Sequence, residues 1–172
     1  MREIIYSVAV SLDGFIAGPG GEFDWIPDEP TLDWDAFMRR FDTIIMGRGT
    51  WEVVRSQPPE HRPGLPTWVF SDTLDEAEDA SLVRSHEAAG VVGRLRAGEG
   101  KAIWLVGGGI LFRHLVERGW VDQVETAVVP ILLGAGIPLL PAGGIPVSLQ
   151  LLEMRSYPSG IVMTRYGVEK GA

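Results

Sequence analysis

Short apolar runs recur along this chain, and most of them end in glycine or in small polar residues. Each run has the length of a strand that is buried on both faces of a sheet. The runs lie at residues 3–10, 42–46, 67–70, 102–106 and 121–129. Strands of this kind occur in parallel sheets whose faces are covered by helices. The first three quarters of the chain therefore predict an α/β fold.

The end of the chain has a different pattern. Residues 147–155 and 161–168 alternate apolar and polar side chains, and a turn sequence at 156–160 joins them. This combination predicts an antiparallel hairpin. Residues 82–84 favour a short edge strand. We therefore expect a mixed, mostly parallel sheet with a C-terminal antiparallel hairpin, in one domain over residues 1–172.

A helical period follows the run at 102–106. Leu111 pairs with Leu115, and Phe112 with Val116, at a spacing of four residues, and Gly119 ends the pattern. A second apolar stripe, from Trp34 to Phe41, predicts a helix that begins near residue 31. Residues 51–55 and 87–97 predict two more helices, the first of them capped by Thr50. Residues 131–141 are apolar but rich in glycine and proline, and they predict a packed loop.

Two of the strands run through glycine into a helix. The first junction is Gly107-Gly108-Gly109, and the second contains Gly47, Arg48 and Thr50. Such a junction offers unpaired N–H groups and a positive helix end to an anion. One triple glycine alone favours a tight turn, and Phe112 excludes the G-x-G-x-x-G spacing. A second junction with an arginine, which can grip a phosphate through two hydrogen bonds, strengthens the hypothesis of a bound pyrophosphate.

Other candidate chemistry lies near strand ends and loops. Ser71 begins a polar cluster after the run at 67–70, where ligands of open α/β sheets collect. The glycine cluster at 18–21, before Trp25, is either a loose connection or a mobile flap over a site. Asp33 and Asp35 lie at the start of the second apolar stripe. Either one complements the helix dipole or, beside a cleft, delivers a proton.

Composition excludes several classes of protein. The chain has 172 residues and no cysteine, which excludes disulfides and thiolate metal sites. A net charge of −8 argues against nucleic-acid partners. The histidines at 61, 86 and 114 are too scattered for a metal site, so we expect none. No stretch approaches the length of a membrane span. We therefore expect a cytoplasmic protein without membrane association.

Five segments together resemble the dihydrofolate reductase-like superfamily. They are SLDG at 11–14, WI at 25–26, MGRGTWE at 46–52, VGGG at 106–109 and VDQVETAVVPILLGAGIPLLP at 121–141. Within the superfamily, the chain looks like the single-domain branch related to the reductase domain of the riboflavin-biosynthesis deaminase-reductase. The resemblance covers nearly the whole chain in the same order. It implies a three-layer α/β/α fold with an eight-stranded sheet, a homodimer, and an NADPH-dependent reductase.

The resemblance also implies roles for particular residues. Gly47, Arg48 and Thr50 would hold cofactor phosphates, with Arg48 and Ser71 near the 2′-phosphate. The pyrophosphate would lie on the triple-glycine junction, and Ala9 and Ile16 would line the nicotinamide pocket. The residues implied at and beside the triple-glycine junction are Val106, Gly107, Gly108, Gly109, Ile110 and Leu111.

The substrate side is implied less completely. Asp33 aligns with the acidic residue that dihydrofolate reductases use for protonation, with Asp35 in reserve. Trp25, Trp34 and Phe37 would enclose a small heterocyclic or C=N/C=O substrate. Ser7 and Gly107 stand where riboflavin-type reductases usually carry lysine and glutamate. Three interpretations thus stay open: a reductase resembling 5-amino-6-(5-phosphoribosylamino)uracil reductase, a dihydrofolate or pterin reductase, and a non-catalytic NADPH-binding module.

Overall fold

The computed structural model describes residues 1–169, which form ten strands and four α-helices. The strands are β1 (Ile4–Ser11), β2 (Phe15–Ala17), β3 (Phe41–Gly47), β4 (Thr67–Phe70), β5 (Ser81–Val83), β6 (Ala102–Val106), β7 (Gln123–Val129), β8 (Ile137–Pro138), β9 (Leu149–Ser156) and β10 (Val162–Val168). The helices are α1 (Trp34–Met38), α2 (Arg48–Ser56), α3 (Ala88–Ala97) and α4 (Gly109–Val116). Within residues 1–169, no helix has the length and apolar character needed to cross a membrane.

Eight strands form one sheet in the order β5-β4-β3-β6-β1-β7-β10-β9. The neighbours from β5 through β7 are parallel, whereas β10 pairs antiparallel with both β7 and β9. The predicted mixed sheet with a C-terminal hairpin is therefore confirmed. The observed strands of the hairpin and β7 start one or two residues later than their apolar patterns do.

Helices cover both faces of the sheet, because alternate residues of its strands point to opposite sides. In β3, Ile45 belongs to the core under α3 and α4, whereas Ile44 and Met46 pack with Trp51 of α2. Phe37 of α1 lies 5.1 Å from the Trp104 ring of β6. This gives the three layers that the resemblance implies.

The helix predicted from residue 31 begins later, at Trp34. Glu29 accepts hydrogen bonds from both the N–H and the hydroxyl of Thr31, and thereby holds residues 29–31 in a turn. Asp33 then caps the helix, since its carboxylate accepts from the N–H of Ala36 at 2.7 Å. The start of α1 is thus decided by two side-chain carboxylates rather than by the apolar stripe.

Helix α2 begins earlier than predicted, at Arg48, and Thr50 is not its cap. Gly47 holds the N-cap position with extended dihedral angles, φ −86° and ψ 170°, and no side chain bonds to the first turn as a cap. Strand β3 therefore runs straight into the helix. Thr50 lies inside the first turn, where its hydroxyl is free to face a neighbouring element.

The segment predicted as a packed loop at 131–141 contains the short strand β8, which pairs with β2. Asp13 holds this segment, because its carboxylate accepts from the N–H groups of Leu133 at 3.1 Å and Gly134 at 2.7 Å. A hydrogen bond from Ser11 and these backbone bonds lower the pKa of Asp13. The loop after β1 and the loop after β7 thus form one connected layer above the sheet.

The glycine cluster at 18–21 forms a hydrogen-bonded turn, not a loose connection. The N–H of Gly18 donates to the Glu22 carbonyl at 2.8 Å, and the N–H of Gly20 donates to the Glu22 carboxylate at 2.9 Å. Closure of this segment over a ligand stays a prediction.

Candidate cofactor and substrate site

Four neighbouring strands end side by side at one edge of the sheet, in the order β4, β3, β6 and β1. Met46 and Val106 are Cα partners in the parallel pairing of β3 with β6, and Gly47 and Phe70 are partners in the pairing of β3 with β4. Both glycine junctions therefore emerge at adjacent positions of the same edge. This is the edge at which ligands bind in open α/β sheets.

The two junctions touch each other through Gly107 and Thr50. Gly107 has a φ of +65°, and a Cβ added there would overlap Thr50 Oγ1 and lie 2.9 Å from Thr50 Cγ2. A side chain at position 107 would thus need both a left-handed backbone and the space that Thr50 fills. This gives a physical reason for glycine where related reductases carry glutamate. The close approach also fixes the spacing between the starts of α2 and α4.

Neither helix start has a capping side chain. The N-cap of α4 is Gly108, the N-cap of α2 is Gly47, and no side chain makes a cap hydrogen bond at either one. The first-turn N–H groups of both helices can therefore serve an external acceptor. Beside them, Val106 and Leu111 are half-buried and Ile110 is 69% exposed. The adjoining starts of α2 and α4 form a groove in which two uncapped helix N-termini lie close together. Such a groove suits a pyrophosphate.

The segment at 138–141 closes one side of this groove. A Cβ on Gly109 would lie 2.8 Å from the carbonyl oxygens of both Pro138 and Leu139, and 2.9 Å from Cδ of Pro141. Glycine at position 109 therefore allows the backbone of this segment to pack directly on the start of α4.

An arginine and hydroxyl groups gather at the β4 end of the groove. Arg48 Nη1 donates to Thr73 Oγ1 at 2.9 Å, and Ser71 Oγ lies 3.4 Å from the same Thr73 oxygen. Arg84 Nη1 donates to the Ser71 carbonyl at 3.0 Å. The predicted pair Arg48 and Ser71 is thus brought together. Thr73 belongs to the polar cluster that the sequence indicated after β4, whereas Arg84, which follows β5, was not predicted as part of this site.

Arg48 also has an acidic neighbour. Its Nε lies 3.3 Å from Glu52 Oε1, one helical turn further along α2, and both side chains are about half exposed. This surface ion pair holds the guanidinium over the start of α2 while leaving part of it open to solvent. Such a placement suits a group that receives a phosphate from solution.

The opposite end of the groove, at β1, carries small residues. Ala9 of β1 is the Cα partner of Ala127 in β7, so only two methyl groups project from the sheet at this point. Ile16 is the central residue of β2, and both Ala9 and Ile16 are half-buried. The absence of bulky side chains at 9 and 127 leaves space for a flat ring above the sheet.

The predicted substrate-binding aromatic residues lie around α1. The rings of Trp34 and Phe37 are 5.4 Å apart in an edge contact, with Phe37 packed on the sheet and Trp34 57% exposed. Trp25 lies in the loop between β2 and α1, where its indole N–H donates to the Glu22 carbonyl at 3.1 Å. Phe37 thus forms a fixed wall, whereas Trp34 presents a large apolar surface to solvent.

The predicted proton donor Asp33 is an exposed residue at the N-cap of α1, and Asp35 is exposed in the first turn of that helix. The Asp33 carboxylate bonds to the helix backbone through the N–H of Ala36. At this position the carboxylate complements the positive end of the helix dipole, which is the first of the two roles considered for Asp33. The chemical role stays a prediction.

An ion pair between the half-buried Arg40 and the buried Glu125 was missed in the sequence. Arg40 donates to both carboxylate oxygens of Glu125, at 2.9 Å and 2.5 Å, and the Glu125 side chain is only 3% exposed. These hydrogen bonds raise the pKa of Arg40. Glu125 is the Cα partner of Ser7, the position at which related reductases usually have lysine. Arg40 therefore brings positive charge to this region of the sheet in a chain that has serine at position 7.

A cavity beside this pair is lined by charged side chains, among them Arg40, Glu125, Arg155 and Arg165. The Arg155 guanidinium lies over the Tyr157 ring, 4.9 Å from its centre. The sequence signal for this cavity was weak: β7 contains one charged residue, Glu125, and no basic residue lies near it in the sequence. Its partner Arg40 is 85 residues away.

Comparisons with known proteins agree with this geometry. The family model of the RibD C-terminal domain matches residues 2–163. Uncharacterized protein YyaP of Bacillus subtilis (strain 168) is 30% identical over 177 residues, which cover 96% of this chain and 94% of YyaP. The chain thus has a relative that matches it from end to end.

Two solved structures share the fold. A putative riboflavin biosynthesis protein from Shewanella sp. PV-4 has a TM-score of 0.84 and 27% identity, covering 98% of this chain and 100% of that one. Dihydrofolate reductase from Enterococcus faecalis, solved with NADP(H), has a TM-score of 0.67 and 18% identity, covering 98% of this chain and 97% of that one. The second likeness shows the dihydrofolate reductase-like fold. Because the family model covers nearly all of its residues, the chain belongs to the RibD C-terminal domain family.

Proposed function

We propose that the protein is an NADPH-dependent reductase that transfers hydride to a small heterocyclic or C=N/C=O acceptor. Membership of the RibD C-terminal domain family supports a reductase in general. The observation that carries the proposal is the contact between the two uncapped glycine junctions at Gly107 and Thr50. Together they form one groove with two helix N-termini, which suits the two phosphates of a dinucleotide.

The residues of this chain suit a cofactor whose 2′-phosphate lies at the β4 end of the groove and whose nicotinamide lies at the β1 end. Backbone N–H groups at the starts of α2 and α4 would receive the pyrophosphate. Arg48, Ser71 and Thr73 would receive the 2′-phosphate at the β4 end, since arginine binds phosphate through paired, charge-assisted hydrogen bonds. The nicotinamide would then lie at the β1 end, over Ala9 and near Ile16. When bound, the cofactor supplies the hydride.

The acceptor would lie beside the nicotinamide position, between α1 and the loop that contains Trp25. Phe37 and Trp34 provide an apolar surface on one side of the acceptor. Ala9 of β1 and Ala127 of β7 are small, so a flat ring could lie close to the sheet between them and the solvent. Asp33 would deliver the proton that accompanies hydride transfer. The open cavity at Arg40 and Glu125 is lined by residues of β7 and β10, and it gives room for a polar extension of the acceptor.

The proposal is tested by measuring nucleotide binding before turnover. NADPH and NADH are titrated separately by calorimetry, and NADPH oxidation is then followed with a panel of pyrimidine, pterin and carbonyl acceptors. The NADPH carries deuterium at nicotinamide C4, and mass spectrometry of the product reports direct transfer. We expect NADPH binding in the micromolar range or tighter, a preference over NADH, and deuterium in one class of product.

Other outcomes would contradict parts of the proposal. Failure to bind NADPH at millimolar concentration would overturn it entirely. Binding without oxidation in the whole panel would favour a non-catalytic nucleotide-binding module. Saturable reduction of dihydrofolate alone, with inhibition by methotrexate, would identify a folate reductase instead.

A further inference from the structure

The cavity beside Arg40 and Glu125 opens on the side of the sheet at which the nicotinamide is proposed to lie. Ser7 of β1 and Glu125 of β7 are Cα partners, and so are Ala9 and Ala127, two residues further along the same strands. Partners in a sheet point to one side, and so do residues two apart on a strand. Since Glu125 lines the cavity and bonds to Arg40, Ala9 and Ala127 face the side on which the cavity opens.

One row of side chains connects the nicotinamide position with this cavity. Ala127 of β7 is the Cα partner of Met163 in β10, and Met163 is the partner of Arg155 in β9. The row that begins at Ala9 therefore continues through a methyl group and a methionine to a guanidinium. Neighbouring strands lie about 4.8 Å apart, so about 10 Å separates the Cα atoms of Ala127 and Arg155. A ligand along this row meets apolar side chains first and a positive charge at its far end.

The charges of the cavity leave one guanidinium without a counter-ion. Three arginines and two glutamates line it. Arg40 donates to both oxygens of Glu125, and Arg165 forms an ion pair with Glu153 at 2.6 Å. Within the part of the chain that the structure describes, no carboxylate lies within ion-pair distance of Arg155. The cavity can therefore accept one further negative charge beside Arg155.

The Arg155 guanidinium is both accessible and positioned. It lies on β9, an edge strand whose eight residues are all exposed. Its Cζ lies over the ring of Tyr157, 4.9 Å from the ring centre. Stacking covers one face of the guanidinium and leaves the N–H groups in its plane available to an acceptor. The turn after Tyr157 is anchored to the loop before α1, since the N–H of Ser159 donates to Glu29 Oε2 at 3.2 Å. Contacts between separate elements thus build the charged end of the row.

We propose that the acceptor of this reductase carries a single carboxylate, which Arg155 binds through paired hydrogen bonds. The inference rests on the proposed function, because it places the reacting ring of the acceptor beside the nicotinamide, over Ala127. An apolar segment that lies against Met163 joins this ring to the carboxylate. A planar carboxylate matches the two parallel N–H donors of a guanidinium. A dianionic phosphate suits the position less, because Glu153, two residues away on the same side of β9, would repel its second charge.

Simple probes test the position and the charge of this site. Phenylacetate, 4-phenylbutyrate and 6-phenylhexanoate are titrated by nuclear magnetic resonance, with and without NADPH. We expect 4-phenylbutyrate to bind most tightly, because its chain and one hydrogen bond together span about two strand spacings. Its neutral amide, 4-phenylbutyramide, should bind roughly 10- to 100-fold more weakly, since it lacks the charge that strengthens a hydrogen bond to arginine. The ester 4-phenylbutyl phosphate should also bind more weakly than the carboxylate.

Arg155→Met tests the residue itself. This variant keeps much of the apolar stem, and we expect it to lose the preference for the acid over the amide while its NADPH affinity stays unchanged. Arg39→Met is the matched control, since Arg39 is also exposed, lies next to Arg40 and does not line the cavity. This control should keep the wild-type preference.

Three results would overturn the inference: equal affinity for acid and amide, an unchanged preference in Arg155→Met, or tightest binding of the phosphate ester. None of them depends on NADPH binding, so the reductase proposal would stand. A protein that binds 4-phenylbutyrate through Arg155 but does not bind NADPH would keep the carboxylate site and overturn the reductase.

Discussion

Thr50 and Gly107 are 57 positions apart in the sequence, yet the hydroxyl of one fills the space where a side chain of the other would be. The contact joins the starts of α2 and α4 into one groove.

Gly107→Ala should destabilise the protein more than an alanine at a similar but open glycine. Gly119 is the matched control, because its φ of +66° resembles the +65° of Gly107 but a Cβ there would meet nothing within 4 Å. Each alanine has the backbone cost of about 1–2 kcal/mol for a left-handed residue, and only Gly107→Ala also collides with Thr50. Urea unfolding should show a larger loss for Gly107→Ala, partly recovered by Thr50→Ala. Equal losses for the two glycines would contradict the contact.

Arg48→Ala should weaken NADPH binding selectively. Charge-assisted hydrogen bonds to a phosphate are worth about 1.5–3 kcal/mol, so we expect the dissociation constant for NADPH to rise by roughly 10- to 100-fold. NADH has no 2′-phosphate, and its binding should change little. Arg55→Ala, in the last turn of the same helix, is the control. If both nucleotides lose the same affinity, the 2′-phosphate does not lie at Arg48.

Glu125→Gln should destabilise the fold. It removes the charge from two hydrogen bonds to Arg40, and charge-assisted hydrogen bonds contribute about 1.5–3 kcal/mol, while Arg40 keeps partial access to solvent. Glu153→Gln is the control, because Glu153 pairs with Arg165 at 2.6 Å but both side chains are substantially exposed. Such a surface pair contributes less than ~1 kcal/mol. The free energies of unfolding should therefore differ, and similar values would show that the hydrogen bonds between Arg40 and Glu125 do not stabilise the fold.

Glu29 should make the stability depend on pH below about 4.5. Hydrogen bonds from Ser159 and Thr31 lower its pKa to about 2. The pKa of Glu29 is lower in the folded protein than in the unfolded chain. Its contribution to the free energy of unfolding is therefore fully present above the unfolded pKa and is lost as the pH falls towards 2. Melting temperatures of Glu29→Gln should decline less steeply than those of the wild type between pH 4.5 and 2. Asp28→Asn removes the same charge one residue earlier, and it should retain the wild-type slope.

Asp33→Asn tests the proposed proton donor without disturbing the helix. Asparagine caps helices about as well as aspartate, so α1 should keep its start at Trp34 and NADPH affinity should not change. A tenfold or larger fall in turnover is expected if the carboxylic acid delivers the proton. Asp35→Asn, in the same first turn, serves as the comparison. Unchanged turnover in Asp33→Asn would remove this residue from the mechanism.

Much of the fold, and the positions of both glycine junctions, could be predicted from the sequence, because their signals are local. Each buried strand is a short apolar run, and each strand-to-helix junction has a glycine next to such a run. Gly47, Arg48 and Gly107 were therefore placed at these junctions without coordinates, and their role in binding a phosphate stays a prediction. Parallel pairing of buried strands then leads to a common edge.

The tertiary structure alone decided which of these elements meet. Arg40 and Glu125 are 85 residues apart, and Asp13 reaches Gly134 across 121, so no local pattern reports these pairs. The helix starts at Trp34 and Arg48 depended on which polar group satisfies the first turn, and propensity does not specify that. The exposure of β9 is likewise a property of strand order: an alternating run predicts a strand, but only its place at the edge of the sheet leaves Leu151 and Met154 uncovered. Local chemistry thus determined the elements, and long-range packing determined the site that they form.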